Sequence, residues 1–195
     1  MGNKENTHKN IVETAFKMFS DNGFDKTSLS MIAKEVGISK PAIYYYFESK
    51  EQLIDYIFDE ICKEIEHQND FSLDRISIDN FEAELISIGY RMIEEHEHDE
   101  YFNKIFNEYI LLASRNEKYR NRLYEIQKGY LTTYYDLLKF GVEIGAVSAG
   151  NIESKANLLG MLIDNIGNFM LTGFQLDYRG IWKEAVTSVL KEDKS

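Results

Sequence analysis

Between residues 27 and 50 the chain gathers side chains able to donate hydrogen bonds: Thr27, Ser28, Lys40, Tyr44, Tyr45, Tyr46 and Lys50, with the apolar Pro41 and Ala42 among them. A lysine such as Lys40 can donate to the O6/N7 acceptors of guanine, and Pro41 and Ala42 can touch thymine methyl groups. Lys50 stands where a helix begins, a position that already attracts phosphate. Thr27 and Ser28 cap another helix within reach of the same kind of backbone, and Lys26 and Lys34 add sequence-independent attraction. Presented together on one face, such groups could grip phosphates and read base edges.

Other candidate chemistry is thinner. His96 and His98 lie in the run 94–100, but residues two apart on a helix point in nearly opposite directions and cannot share one ion, so the run reads as a hydrated acidic turn. Cys62 is the single cysteine, five residues from His67 with no further sulfur ligand, and reads as packing or a free thiol. No nucleophile–base pairing, glycine-rich phosphate loop or paired-carboxylate motif is evident. No metal, no cofactor and no catalytic residue is expected, and the protein is expected not to be an enzyme.

The elements that must position the donors are helices. Apolar residues at 11, 12, 15, 16 and 19 share one face of a helix over 5–22, and Gly23 is placed to stop it. Thr27 and Ser28 cap a short second helix carrying Leu29, Ile32, Ala33 and Val36, which Gly37 ends. Ser39 caps a third, with Pro41 in its first turn where a missing N–H is harmless. Two short helices around a glycine turn, with a small residue (Ala33) on the packing face and an apolar one (Ile38) after the turn, make a helix-turn-helix. Its second helix enters the major groove by its N-terminal end. Tyr44, Tyr45 and Tyr46 point about 100° apart on that helix, so at least one is structural. Helix four begins at the Ser49 cap and runs to about 67. Further helices are expected at 80–95, 100–114, 119–144, 152–172 and 178–191, with 71–79 a connector and 145–150 a loop of small residues.

Residues 11–54 resemble the DNA-binding domain of TetR-family transcriptional regulators. The resemblance rests on Ala15–Phe19, Gly23-Phe24, Ile32–Ser39 and Ala42–Leu53, without a gap, and includes the Tyr-x-Tyr-Phe-x-Ser-Lys exit from the third helix. It continues weakly at 141–171 and covers 55–140 only in helical character. The resemblance implies that Tyr44 and Tyr45 hydrogen-bond phosphates and that Tyr46 lies at the DNA edge. It implies an all-α fold: an N-terminal three-helix domain over 1–48 and a six-helix ligand-binding and dimerisation domain over 49–195, with helix four spanning both. It also implies a repressor released from a palindromic operator by a small molecule. The competing reading is a DNA binder that acts without an effector, or as an activator.

Composition is compatible with this. The 195 residues are 44% hydrophobic and 13% aromatic, enough for a packed core. The net charge is −11, which by itself argues against a nucleic-acid partner. However, residues 1–50 hold seven lysines against six acids, while the rest holds fifteen basic and twenty-seven acidic residues. The N-terminal part is therefore a separate electrostatic unit. With a polar N-terminus and no long apolar run, a cytoplasmic protein with no membrane partner is expected.

Residues 81–140 hold twelve of the twenty-five Phe and Tyr. An apolar or aromatic effector is therefore expected among Tyr90, Phe106, Tyr109, Tyr130, Tyr134 and Asn165. A cation is a further option, because aromatic faces attract one. Asp164, Asn165 and Asn168 stand in an otherwise apolar helix, and some of them are expected to be buried. A homodimer is expected through the last two helices: Leu158, Leu162, Ile166 and Phe169 with Ile181, Trp182, Ala185 and Val189, and Gly160 and Gly167 allowing close approach.

Overall fold

The structure, a computed structural model, describes residues 2–68, 73–98 and 100–191. Among these the chain is all-helical, with nine α-helices and no strand. The helices are α1 (Gly2–Lys26), α2 (Leu29–Val36), α3 (Lys40–Tyr46), α4 (Lys50–Gln68), α5 (Phe81–His98), α6 (Glu100–Ala113), α7 (Glu117–Glu143), α8 (Ile152–Leu171) and α9 (Tyr178–Leu190). A short 3-10 turn at Leu73–Arg75 lies in the expected connector. Residues 71 and 72 of that connector, and Asp99 of the acidic run, fall outside the described residues. The run 94–98 is the end of α5 rather than a turn. No described helix is long and apolar enough to cross a membrane.

The chain forms two compact units, Met1–Ile65 with Tyr101–Leu123, and Glu66–Glu100 with Tyr124–Ser195. In the first, the stripe of Ile11, Ala15 and Phe19 on α1 is fully buried, along with Ile32 and Ala33 of α2 and Ile43 of α3. Gly37 closes α2 in the left-handed region (φ 78), letting the Ile38 N–H donate to the Ala33 carbonyl at 2.9 Å. That bond folds the chain back at once and fixes the angle at which α3 leaves. Ser39 then accepts from the Ala42 N–H at 3.3 Å.

α6 and the start of α7 complete this unit. Tyr109 is fully buried against Phe24, Phe58 and Tyr119. Its hydroxyl donates to the Ile54 carbonyl at 2.7 Å. Tyr119 donates to Asp55 Oδ1 at 2.7 Å, where Lys118 makes an ion pair. Burial lifts the Tyr109 and Tyr119 phenols well above their ordinary range, with Tyr119 and Asp55 adding to it.

In the second unit α5 packs against α8 and α9 around Phe81, Leu85, Tyr134, Leu138, Leu159, Ile163 and Trp182. Gly89 makes the closest approach: a Cβ there would stand 2.1 Å from the Trp182 ring. The indole N–H donates to the Ile86 carbonyl at 3.2 Å, so a large flat ring is buried without an orphaned donor.

Candidate nucleic-acid interface

The end of α3 that carries Lys40 and Pro41 is exposed, and Ala42 is half-buried beside it. Tyr44 and Tyr45 are 45% and 69% exposed, which leaves large polar-tipped rings in water on a seven-residue helix. Tyr46 is the structural member of the trio. It is half-buried, edge-on to Tyr45 at 5.4 Å and near His8 at 6.4 Å. Ile43 and Phe47 face inward and anchor the helix.

Two expected contacts are placed differently. Thr27 is only 1% exposed, and its hydroxyl donates to the Met18 carbonyl at 3.2 Å. Its side chain closes the α1–α2 turn inside the unit; the outward capping role falls to exposed Ser28, which accepts from the Met31 N–H at 3.3 Å. Lys50 is half-buried, and its ammonium donates to the Phe24 carbonyl at 3.0 Å. One of its three donors is thus spent on the chain, leaving two to face outward.

Pattern reading missed two residues. The expected start of helix one at residue 5 falls short, because α1 begins at Gly2. The extra turn is held by contacts no local pattern announces. Lys4 donates to the Tyr45 hydroxyl at 2.9 Å and lies 4.6 Å from its ring centroid. The phenol's hydrogen bond raises the Lys4 ammonium's pKa. The His8 ring packs on Phe47 at 5.1 Å and on Tyr56 at 5.0 Å. Lys4, Glu5, His8 and Tyr46 line a recess of about 480 Å³.

The residues expected at an effector site fall in both units. Phe106 stacks on Phe102 at 6.0 Å, while Tyr109 is the buried keystone described above. The Tyr109 hydroxyl is already used, so it acts in packing. In the second unit Tyr130 and Tyr134 are 5.3 Å apart, and both hydroxyls turn to Met92 Sδ, at 3.8 and 3.5 Å. Burial raises both phenols' pKa values. Tyr90 is half-buried against the same core. Asn165 and Asn168 are exposed on the side of α8 away from the core, whereas Asp164, exposed as a whole residue, has a carboxyl partly buried beside the core, and that burial raises its pKa while nearby His96 opposes the rise, so the expected burial holds in part. A groove of about 570 Å³ runs between Tyr124, Leu131 and Tyr135 of α7 and Glu153 and Asn157 of α8.

The residues expected at a dimer interface also divide. Leu158, Phe169 and Ile181 are exposed at 54%, 45% and 38%, and Leu162 and Ala185 are half-buried. Ile166, Trp182 and Val189 are buried in their own chain's core, so they support the hairpin from behind. Met161, 65% exposed, joins the outward row instead. Gly160 and Gly167 likewise serve internal packing, against Leu131 and His96. Among the described residues no group of three or more His, Cys, Asp or Glu is arranged to hold a metal ion.

Residues 11–57 match the family described as "Bacterial regulatory proteins, tetR family". The chain is 26% identical over 152 residues to the fatty acid metabolism regulator protein of Bacillus subtilis, covering 77% of this chain and 75% of that one. It is 36% identical over 73 residues to IcaR, the negative transcriptional regulator of the biofilm operon in Staphylococcus aureus, covering 34% and 39%. The fatty acid degradation regulator FadR from Bacillus halodurans has the same fold, with a TM-score of 0.68 at 18% identity over 96% of both chains. With a matched helix-turn-helix over residues 11–57, a helical C-terminal part of the same fold as solved regulators and relatives that are themselves named as regulators, the chain carries an N-terminal DNA-binding domain of the TetR family.

Proposed function

We propose that the protein is a repressor that binds a palindromic operator as a homodimer and is released by a small apolar effector. The observation that carries the DNA-facing part is the exposed, Ser39-capped start of α3, where Lys40 and Pro41 stand free while Ile43 and Phe47 lock the helix to its frame. Lys40, Pro41 and Ala42 read base edges, while Ser28, Tyr44, Tyr45 and Lys50 hold phosphates. The roles divide near residue 48, with DNA binding before it and effector binding and dimerisation after it.

The exposed apolar row of Leu158, Met161, Phe169 and Ile181 supports dimerisation through α8 and α9. Two copies related by a two-fold axis match a symmetric operator. IcaR is a negative regulator, which favours repression. The aromatic packing around Tyr130, Tyr134 and Met92 favours an apolar effector, and two similar proteins named for fatty-acid regulation make long-chain acyl compounds the first class to screen. A ligand that prefers the DNA-free form weakens operator binding by the ratio of its two affinities.

The experiment is a thermal-shift screen of fatty acids, acyl thioesters, neutral aromatics and lipophilic cations, followed by duplex release with every hit. A stabilising apolar compound that releases DNA is the expected result. A DNA-binding protein that no compound releases would remove the effector from the proposal and leave the binder.

A further inference from the structure

We infer that Lys4 belongs to the DNA-binding surface, where it acts with Tyr45 as a two-residue clamp on one backbone phosphate. The inference rests on α3 docking against DNA and adds a contact from a different helix. The Lys4 Nζ reaches the Tyr45 hydroxyl at 2.9 Å across 41 residues of sequence. Both side chains are exposed, so no burial requirement explains the pairing.

When the Tyr45 oxygen accepts from an ammonium, its own O–H is polarised and becomes a stronger donor. Among the described residues that O–H meets no acceptor, and it belongs to a residue 69% exposed on the recognition helix. A phosphate oxygen there completes a chain from ammonium to phenol to phosphate, and the ammonium's remaining donors and charge lie next to the same anion.

The position is held rigidly. His8, one helical turn beyond Lys4 on α1, is packed on Phe47 and Tyr56, so the first turns of α1 are fixed against the end of α3. Glu5 lines the recess beside them with Tyr46 and His8. Its carboxylate keeps phosphate out of that recess, so the anion sits on the outer side, over Lys4 and Tyr45.

The test is a double-mutant cycle of Lys4→Ala, Tyr45→Phe and the pair. Affinity for a labelled random-sequence duplex is measured across a range of KCl concentrations, with Lys63→Ala as a control for simple loss of charge. Lys63 lies on α4, paired with Glu60. Each single variant is expected to bind about tenfold more weakly, and the double variant no more weakly than the worse single one. Lys4→Ala should also reduce the salt slope by about one, while Lys63→Ala leaves it unchanged. Unchanged affinity in Lys4→Ala, strictly multiplicative losses, or an equal effect of Lys63→Ala would overturn the clamp. Failure of the unmutated protein to bind duplex would instead overturn the DNA docking on which the clamp rests.

Discussion

Glu108 on α6 accepts the backbone N–H of Phe24 at 3.3 Å, across 84 residues of sequence. Phe24 follows Gly23, which breaks α1 with φ 78 and ψ 165. The other polar group of the same residue, the Phe24 carbonyl, takes the Lys50 ammonium. Two charged side chains from α6 and α4 thus hold the one turn that passes the chain from α1 to the helix-turn-helix.

Glu108→Ala should therefore loosen the turn without emptying the core. Loss of a partly buried hydrogen bond to a carboxylate costs about 1–3 kcal/mol. Chemical denaturation should show that loss, and duplex affinity should fall with it. A variant as stable as the parent would mean that the contact contributes nothing.

Lys40 and Lys50 should separate by phenotype. Lys40→Ala should relax base preference by about 1–3 kcal/mol at one position, if its contact is to guanine, and leave the melting temperature alone, since Lys40 is exposed. Lys50→Ala should weaken binding to all sequences alike and also lower the melting temperature, because it removes the bond to Phe24. An operator-library measurement and a melting curve on each variant distinguish them.

Four tyrosines should be silent in an alkaline titration of the native protein. The phenols of Tyr109, Tyr119, Tyr130 and Tyr134 all have pKa values raised above the ordinary 10.0. The unfolded chain releases these protons near pH 10 while the folded chain holds them. Stability from this source is therefore complete below pH 10 and lost as the pH rises past it. Ultraviolet difference absorbance should show these four of the thirteen tyrosines ionising together with unfolding. Ionisation of all thirteen before unfolding would contradict the burial.

Leu158→Glu with Met161→Glu should give a monomer by light scattering with little change in the stability of the isolated chain. Trp182→Ala should instead destabilise the fold by about 3–5 kcal/mol, since the ring is fully buried against Gly89. Dimers persisting in the double glutamate variant would move the interface elsewhere.

Much of this architecture is legible in the sequence. The caps at Ser28 and Ser39 and the turn at Gly37 announce themselves because each is a local device whose residue type follows from its backbone conformation. What covers a helix face is not local. The apolar stripe that includes Trp182 and Val189 reads the same whether it meets its own core or a second copy, and only the fold shows α5 lying on it. Thr27 has the composition of an outward cap, but its hydroxyl finds the Met18 carbonyl first. Lys4 carried no signal, because its partner lies 41 residues away. Tyr109 counted toward an aromatic pocket, but the packing of α6 against α1 and α4 makes it a keystone of the first unit.

The central claim, a two-fold dimer reading symmetric DNA through the start of α3, is tested most directly by selecting bound sequences from a random duplex library with the parent protein and with Lys40→Ala. The account predicts that the parent enriches an inverted repeat whose half-sites are centred about one duplex turn apart or somewhat more. Lys40→Ala should enrich the same repeat with preference relaxed at the same position of each half. Enrichment of a single unpaired site, or of no sequence at all, would contradict it.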